Sequence, residues 1–167
     1  AFVIVRGLGS SCSIMLGQSI GKNKIDRAKK DANRFIILSI ITGVIIGAIE
    51  SLTPQWTLLL FGHISPEVYT LGQQLLQVMG MIFILKTINS IIIVGVLRGG
   101  GDTHYGMKLE MSCVWLVGVP LSLLAAGVWH LPVTLVVICA GMEEVTKVVV
   151  GLYRVYSQKW IHRLVQD

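Results

Sequence analysis

Five apolar runs separated by short polar segments constrain this chain more than any other feature of its sequence. A hydrocarbon core about 30 Å thick needs about 20 apolar residues in a helix rising about 1.5 Å per residue. The runs, at about 1–20, 35–60, 67–97, 106–126 and 133–153, meet that length. The expected fold class is all-α, a polytopic transmembrane helix bundle over residues 1–167. Pro54 interrupts the second run near one end, and Pro120 is expected to kink the fourth. The third exceeds the minimum, so it should tilt, kink or protrude.

What lies between the runs cannot make a soluble surface. Charged residues are 14% of the chain, against about 25% in a typical soluble domain, and 53% is hydrophobic with mean hydropathy +0.73. Soluble all-β and disordered classes are excluded as first readings. The net charge of +5 raises the question of a nucleic-acid partner, and the placement of the basic residues decides it. Six of the fourteen, Lys22, Lys24, Arg27, Lys29, Lys30 and Arg34, fall in 21–34. Segment 98–105 adds Arg98 and the tail 154–167 adds Arg154, Lys159 and Arg163, whereas 61–66 and 127–132 have no Lys or Arg. That alternation is a topology signal, placing the basic loops and tail on the cytoplasmic side of a multi-pass protein of the cell membrane, with the lipid bilayer as partner. No aromatics interleave with the basic residues to stack bases, so no nucleic acid is expected.

Cys12, Cys113 and Cys139 sit inside apolar stretches without paired spacing and read as small packing residues. His63, His104, His130 and His162 are single and widely spaced, so no metal site is expected. The chain opens at Ala1 with neither Met nor a basic segment before an apolar core. It is read as internal to a longer protein, with no signal peptide.

Trp56, Tyr69 and Trp129 fall near the outer boundary, and Tyr105, Tyr153, Tyr156 and Trp160 near the inner one, as belt aromatics. Segment 21–34 reads as a cytoplasmic turn followed by an amphipathic helical entry into the second span, its charges a solvated face with lipid headgroups in reach. In the tail, Trp160, Ile161 and Leu164 interleave with Lys159 and Arg163, compatible with an interfacial helix or a disordered end. Gly-xxx-Gly spacing at Gly17/Gly21, Gly43/Gly47 and Gly95/Gly99 allows close helix approach. Gly7 and Gly9 lack the third glycine of a dinucleotide fingerprint. The run Gly99-Gly100-Gly101-Asp102-Thr103 lacks the ending of a phosphate-binding loop and reads as a tight turn, with Asp102 or Thr103 capping the next helix.

Ionisable residues inside the spans carry more information, because a charge in the bilayer is unfavourable unless paired or facing a wet cavity. They cluster on three helices. Lys86 and Asn89 share a face of the third span, Glu110 lies about one turn inside the fourth, and Glu143, Glu144 and Lys147 stand in the fifth, with Glu143 and Lys147 at i,i+4 spacing. In one reading Lys86 and the Glu143/Glu144 pair line a cavity and exchange partners, protons or cations during a transport cycle. In the other they form a static interhelical ion pair, and Glu110 marks the membrane boundary. Glu50 is read as a boundary residue. Gln73, Gln74 and Gln77 face a polar vestibule or bond between helices.

With these residues in view, the chain resembles the multidrug and toxic compound extrusion (MATE) family of secondary transporters. The resemblance rests on Leu16-Gly17-Gln18-Ser19-Ile20-Gly21 followed by Ala28, on Val96-Leu97-Arg98-Gly99-Gly100-Gly101-Asp102-Thr103, on Trp115-Leu116-Val117-Gly118-Val119-Pro120, and on Glu144-Val145-Thr146-Lys147 through Arg154 to Lys159-Trp160. It implies a twelve-helix transporter of two pseudo-twofold lobes, of which this chain is a partial second lobe whose partner is the missing N-terminal lobe. It also implies export of drugs, xenobiotics or small, amphipathic organic cations in exchange for sodium or protons, with no other cofactor and no enzymatic activity. The fragment alone is expected to transport nothing. Where some sodium-coupled members carry an acidic residue on the third span, this chain has Thr87, so that site does not carry over. Related architectures also leave open a flippase for lipid-linked carbohydrate, which a more basic cavity would favour, and a non-transporting membrane scaffold.

Overall fold

The computed structural model describes residues 2–59 and 65–162. Ala1 and Leu60 at the edges of the first two spans, residues 61–64 with His63, and Arg163 and Leu164 of the tail lie outside the described residues. The fold is an all-α bundle. Its helices are α1 (Phe2–Gly21), α2 (Ile25–Leu52), α3 (Pro54–Leu59), α4 (Pro66–Leu97), α5 (Thr103–Val128) and α6 (Val133–Tyr156). Among the described residues there is no strand, only a bridge between Gly101 and Ile161.

By length and hydropathy, α2, α4 and α5 can each cross a membrane. Arg6, Gln18 and small residues dilute α1, and α6 carries Glu143, Glu144 and Lys147 at its middle, so neither stands as a span by itself. Such helices are tolerable in lipid only when companions cover their polar groups. Along α2 the uncovered face is apolar, with Ile37, Ile41, Ile45 and Ile49 exposed, as a lipid-facing surface requires.

Helix α4 is the axis of the bundle, touching α1 and α2 on one side and α5 and α6 on the other. Its packing on α2 is antiparallel and close. Gly43 lies against Ile84 and Thr87, and Gly47 against Gly80 and Ile84, where an added Cβ at Gly47 would come within 2.5 Å of the Gly80 carbonyl oxygen. On α1 the run is parallel, with Gly9 beside Ser90 and Val94, Gly95 over Cys12 and Gly99 over Ser13. Small residues at these positions let the backbones meet, which is how helices gain dispersion energy where lipid offers no hydrophobic drive. Gly17 faces the Gly99 carbonyl, but an added Cβ at Gly21 would meet nothing within 4 Å, so the Gly17/Gly21 spacing serves packing only at its first member.

Proline shapes the ends and the winding. Thr53 ends α2, and Pro54 and Pro66 occupy first helical positions, where a missing N–H costs nothing. Pro120 does not break α5. The helix widens to π winding at Val114–Gly118, resumes α winding at Val119–Leu123 and widens again at Leu124–Val128. Loosening the turn before the ring is one way a helix accommodates proline. Helix α4 likewise ends in a π stretch, Ile91–Leu97.

The buried core gathers at the end carrying the basic segment 21–34. There Leu16, Ala28, Ile92, Val96, Leu97 and Trp160 form one buried cluster. Trp160 departs from its expected place among the belt aromatics, being 1% exposed with its indole N–H donating to the Val155 carbonyl at 3.0 Å. Of the two readings of the tail, an interfacial helix or a disordered end, neither describes 157–162, which forms an ordered turn. After α6 the chain turns and folds back on the 98–102 turn, His162 N–H donating to the Gly100 carbonyl at 2.9 Å. Gly100 lies directly under the Trp160 ring, and Gly101 has φ 87°, a left-handed conformation that favours glycine. Asp102 begins α5 but makes no side-chain cap, contrary to the expectation; its carboxylate instead accepts from Arg154 Nε at 2.8 Å and lies 3.5 Å from His162 Nε2. Arg154 also stacks 4.3 Å over the Tyr105 ring, and the hydrogen bond with Asp102 raises its guanidinium further above its ordinary value.

Candidate functional site

A buried ionisable network joins α4 to α6. Asn89 Nδ2 donates to Glu144 Oε2 at 2.7 Å and to the Glu144 carbonyl at 2.9 Å. The Lys147 ammonium lies 3.3 Å from Glu143 Oε1 and 3.7 Å from Glu144 Oε1, one helical turn along α6. Asn89, Glu144 and Lys147 are all buried. Two carboxylates share one ammonium, which leaves a formal excess of one negative charge. Asn89 Oδ1 and Glu143 Oε2 are buried acceptors without a donor among the described residues. Unpaired acceptors in a low-dielectric interior are costly, and a water, a proton or a small cation would each satisfy them.

Two cavities of opposite character flank this network and share Phe2, Phe83, Lys86 and Glu144. The smaller, about 290 Å³, lies between α2, α3, α4 and α6; Glu50, Glu143 and Glu144 face it against the single Lys86, among apolar walls such as Leu76, Met79 and Ile82. The larger, about 540 Å³, lies between α1, α4, α5 and α6 and is lined by the cations Arg6, Lys86, Arg98 and Lys147 with Glu110 and Glu144. Phe2 and Phe83 meet edge to face where the two adjoin, ring centroids 5.5 Å apart.

The structure thus brings Lys86, Asn89, Glu110, Glu144 and Lys147 around one cavity, with Glu143 facing the other. Lys86 is exposed to both and makes no ion pair among the described residues, since Lys147 takes the two glutamates. Gln77 lines neither cavity, and its backbone carbonyl accepts from Ser51. Gln74 bonds instead to Thr134 of α6 at 3.4 Å. Glu50, expected at the boundary, faces the acidic cavity. Gly99, Asp102 and Thr103 belong to the turn held by Arg154 and Trp160, and Arg98 reaches from it into the larger cavity. Gln18 lines a cleft of about 120 Å³ with Lys22 and Arg27, and Pro120 sits within α5. Among the described residues no three His, Cys, Asp or Glu side chains group as a metal site.

Arg6 is the residue that the sequence reading missed. It adds α1 to the three helices expected to carry intramembrane charge, and the signal was present, since Arg6 interrupts an apolar run. Asp31, buried in α2 between Arg27 at 3.7 Å and Arg34 at 3.3 Å, is a second charge that gave no sequence signal beyond its spacing.

Comparison with known proteins places the sequence. Residues 1–124 match the family model described as MatE. Similar proteins include a probable multidrug resistance protein NorM of Pasteurella multocida, 21% identical over 72% of this chain and 26% of its own length. Multidrug resistance proteins MdtK of Photorhabdus laumondii and Pectobacterium atrosepticum are 25% and 24% identical, over 71% and 75% of this chain and 26% and 27% of their own lengths. The chain spans about a quarter of the length of these curated relatives. No solved structure matches.

Proposed function

The chain belongs to the MatE family, and from that premise we propose that it is a partial second lobe of a secondary active transporter that exports drugs and other amphipathic organic compounds in exchange for sodium or protons. On this reading it sits in the cell membrane with the basic segments 21–34 and 98–105 and the tail on the cytoplasmic side, and the N-terminal lobe completes the pathway. The observation that carries it is the negative excess of Glu143, Glu144 and Lys147 beside an open acidic cavity, with Glu143 Oε2 and Asn89 Oδ1 as acceptors that have no donor among the described residues. A coupling cation engages those carboxylates, and an organic cation competes for the same charge from the cavity side. Alternating access then rocks the lobes, and coupling follows because ion and substrate prefer different states.

The test is dye efflux from cells carrying the full-length protein, with the proton and sodium gradients collapsed separately. Efflux that fails with one gradient, and that a Glu143→Gln/Glu144→Gln variant loses at matched membrane abundance, is the expected result. A wild type without efflux under either gradient sinks the reading. The basic lining of the larger cavity is the one feature favouring a lipid-linked carbohydrate flippase, for which the same cells would show no dye efflux.

A further inference from the structure

The larger cavity has the wrong sign for an organic cation. Lys147 is already held by Glu143 and Glu144 at 3.3 and 3.7 Å. The other basic groups on its walls, Arg6, Lys86 and Arg98, make no ion pair among the described residues, and Glu110 is the remaining acid. Three free cations therefore face the Glu110 carboxylate and the single negative excess of the Glu143, Glu144 and Lys147 group, which leaves the lining net positive by one.

Arg6 and Lys86 stand at the same height. Helices α1 and α4 run parallel with Gly9 beside Ser90 and Cys12 beside Gly95, and Phe2 meets Phe83 one turn before each cation. Each cation thus follows one member of an aromatic pair by a single helical turn, and both open on the same space. Two like charges at one level of an apolar bundle are unfavourable until an anion lies between them. A guanidinium matches a planar carboxylate through two parallel N–H donors, and the ammonium adds a point charge. The Phe2 and Phe83 rings supply an apolar face next to that pair.

We infer that the larger cavity is an anion-binding subsite, in which Arg6 and Lys86 clamp the carboxylate of an aromatic organic molecule while its rings lie against Phe2 and Phe83. The inference rests on the transporter reading for its physiological meaning and deepens it, adding a site for anionic groups beside the acidic cavity. Binding at the subsite is nonetheless measurable apart from transport.

The experiment uses the full-length protein in detergent and two coumarin probes that share a ring system, one bearing a carboxylate and one an amine, with binding read by fluorescence anisotropy. The carboxylate probe is expected to bind, and Arg6→Gln/Lys86→Gln to weaken it at least tenfold without weakening the amine probe, since the same change removes the single cation from the acidic cavity. Arg6→Lys/Lys86→Arg keeps both charges and is expected to retain carboxylate binding within about threefold, which separates lost charge from lost folding. Equal weakening of both probes, or wild-type binding of the amine probe alone, overturns the subsite, the latter by showing that the missing lobe supplies the counter-charge. Binding of a polyprenyl phosphate without binding of the carboxylate probe moves the anion to a lipid and overturns the assignment to a small molecule. Carboxylate binding that the variants abolish, in a protein that shows no gradient-driven efflux, upholds the subsite and removes the transporter reading instead.

Discussion

One amide, the Asn89 side chain, holds α4 to α6 by donating to the Glu144 carboxylate at 2.7 Å and to the Glu144 carbonyl at 2.9 Å. Hydrogen bonds to charged groups contribute about 1.5–3 kcal/mol, and a buried acceptor that loses its donor bears the full desolvation cost. Asn89→Leu is therefore expected to destabilise the full-length protein by roughly that amount, read as a lowered Tm in detergent. Asn89→Gln, which keeps the donor, should recover part of it.

Lys147 is a sharper case, because its removal strands two carboxylates together. Breaking a buried ion pair from one side costs about 3–5 kcal/mol, so Lys147→Met should unfold at a markedly lower temperature. Adding Glu143→Gln and Glu144→Gln removes the stranded charge and should restore most of the Tm. Gradient-driven efflux stays absent in the triple variant on the proposed function. Recovery of both stability and efflux would show the network to be packing alone.

Where α2 crosses α4, Gly47 faces the Gly80 carbonyl oxygen as well as the Ile84 side chain, and the backbone oxygen cannot swing aside as a side-chain end can. Overpacking costs about 1–3 kcal/mol per site. Gly47→Leu is expected to separate the two helices, and cysteine crosslinking between Gly43→Cys and Ile84→Cys should fall accordingly. An unchanged crosslinking yield would contradict the packing described.

The return of the chain after α6 makes a separate prediction. Burying an aromatic side chain is the largest single contribution a core position makes, and Trp→Ala typically costs about 3–5 kcal/mol. Trp160→Ala should lower the Tm and expose the 98–102 turn to proteolysis, whereas the same change at exposed Trp129 should do neither.

How much of this was legible in the sequence follows from what each feature depends on. The all-α class was legible because length and hydropathy are properties of the chain in one dimension. The Glu143 to Lys147 pair was legible for the same reason, its spacing being local to α6. Trp160, Glu50 and Asp102 were not. Trp160 beside Lys159 reads as an interfacial aromatic until the chain is seen to fold back under Gly100, and Asp102 at a helix start reads as a cap until Arg154 is brought to it from another helix. Lys86 lines both cavities, but the glutamates offered to it as partners are held by Lys147, a competition that only the relative rotation of α4 and α6 decides.

The contact of Gly100 with the Trp160 ring also has a genetic consequence. The two positions are far apart in the chain yet occupy one volume, so they behave as a single locus. An added Cβ at Gly100 would meet the Trp160 carbonyl oxygen as well as the ring, so a smaller side chain at Trp160 does not by itself accommodate Gly100→Ala, and its revertants should be changes in the 157–162 return that let it move off the 98–102 turn rather than changes beside the lesion.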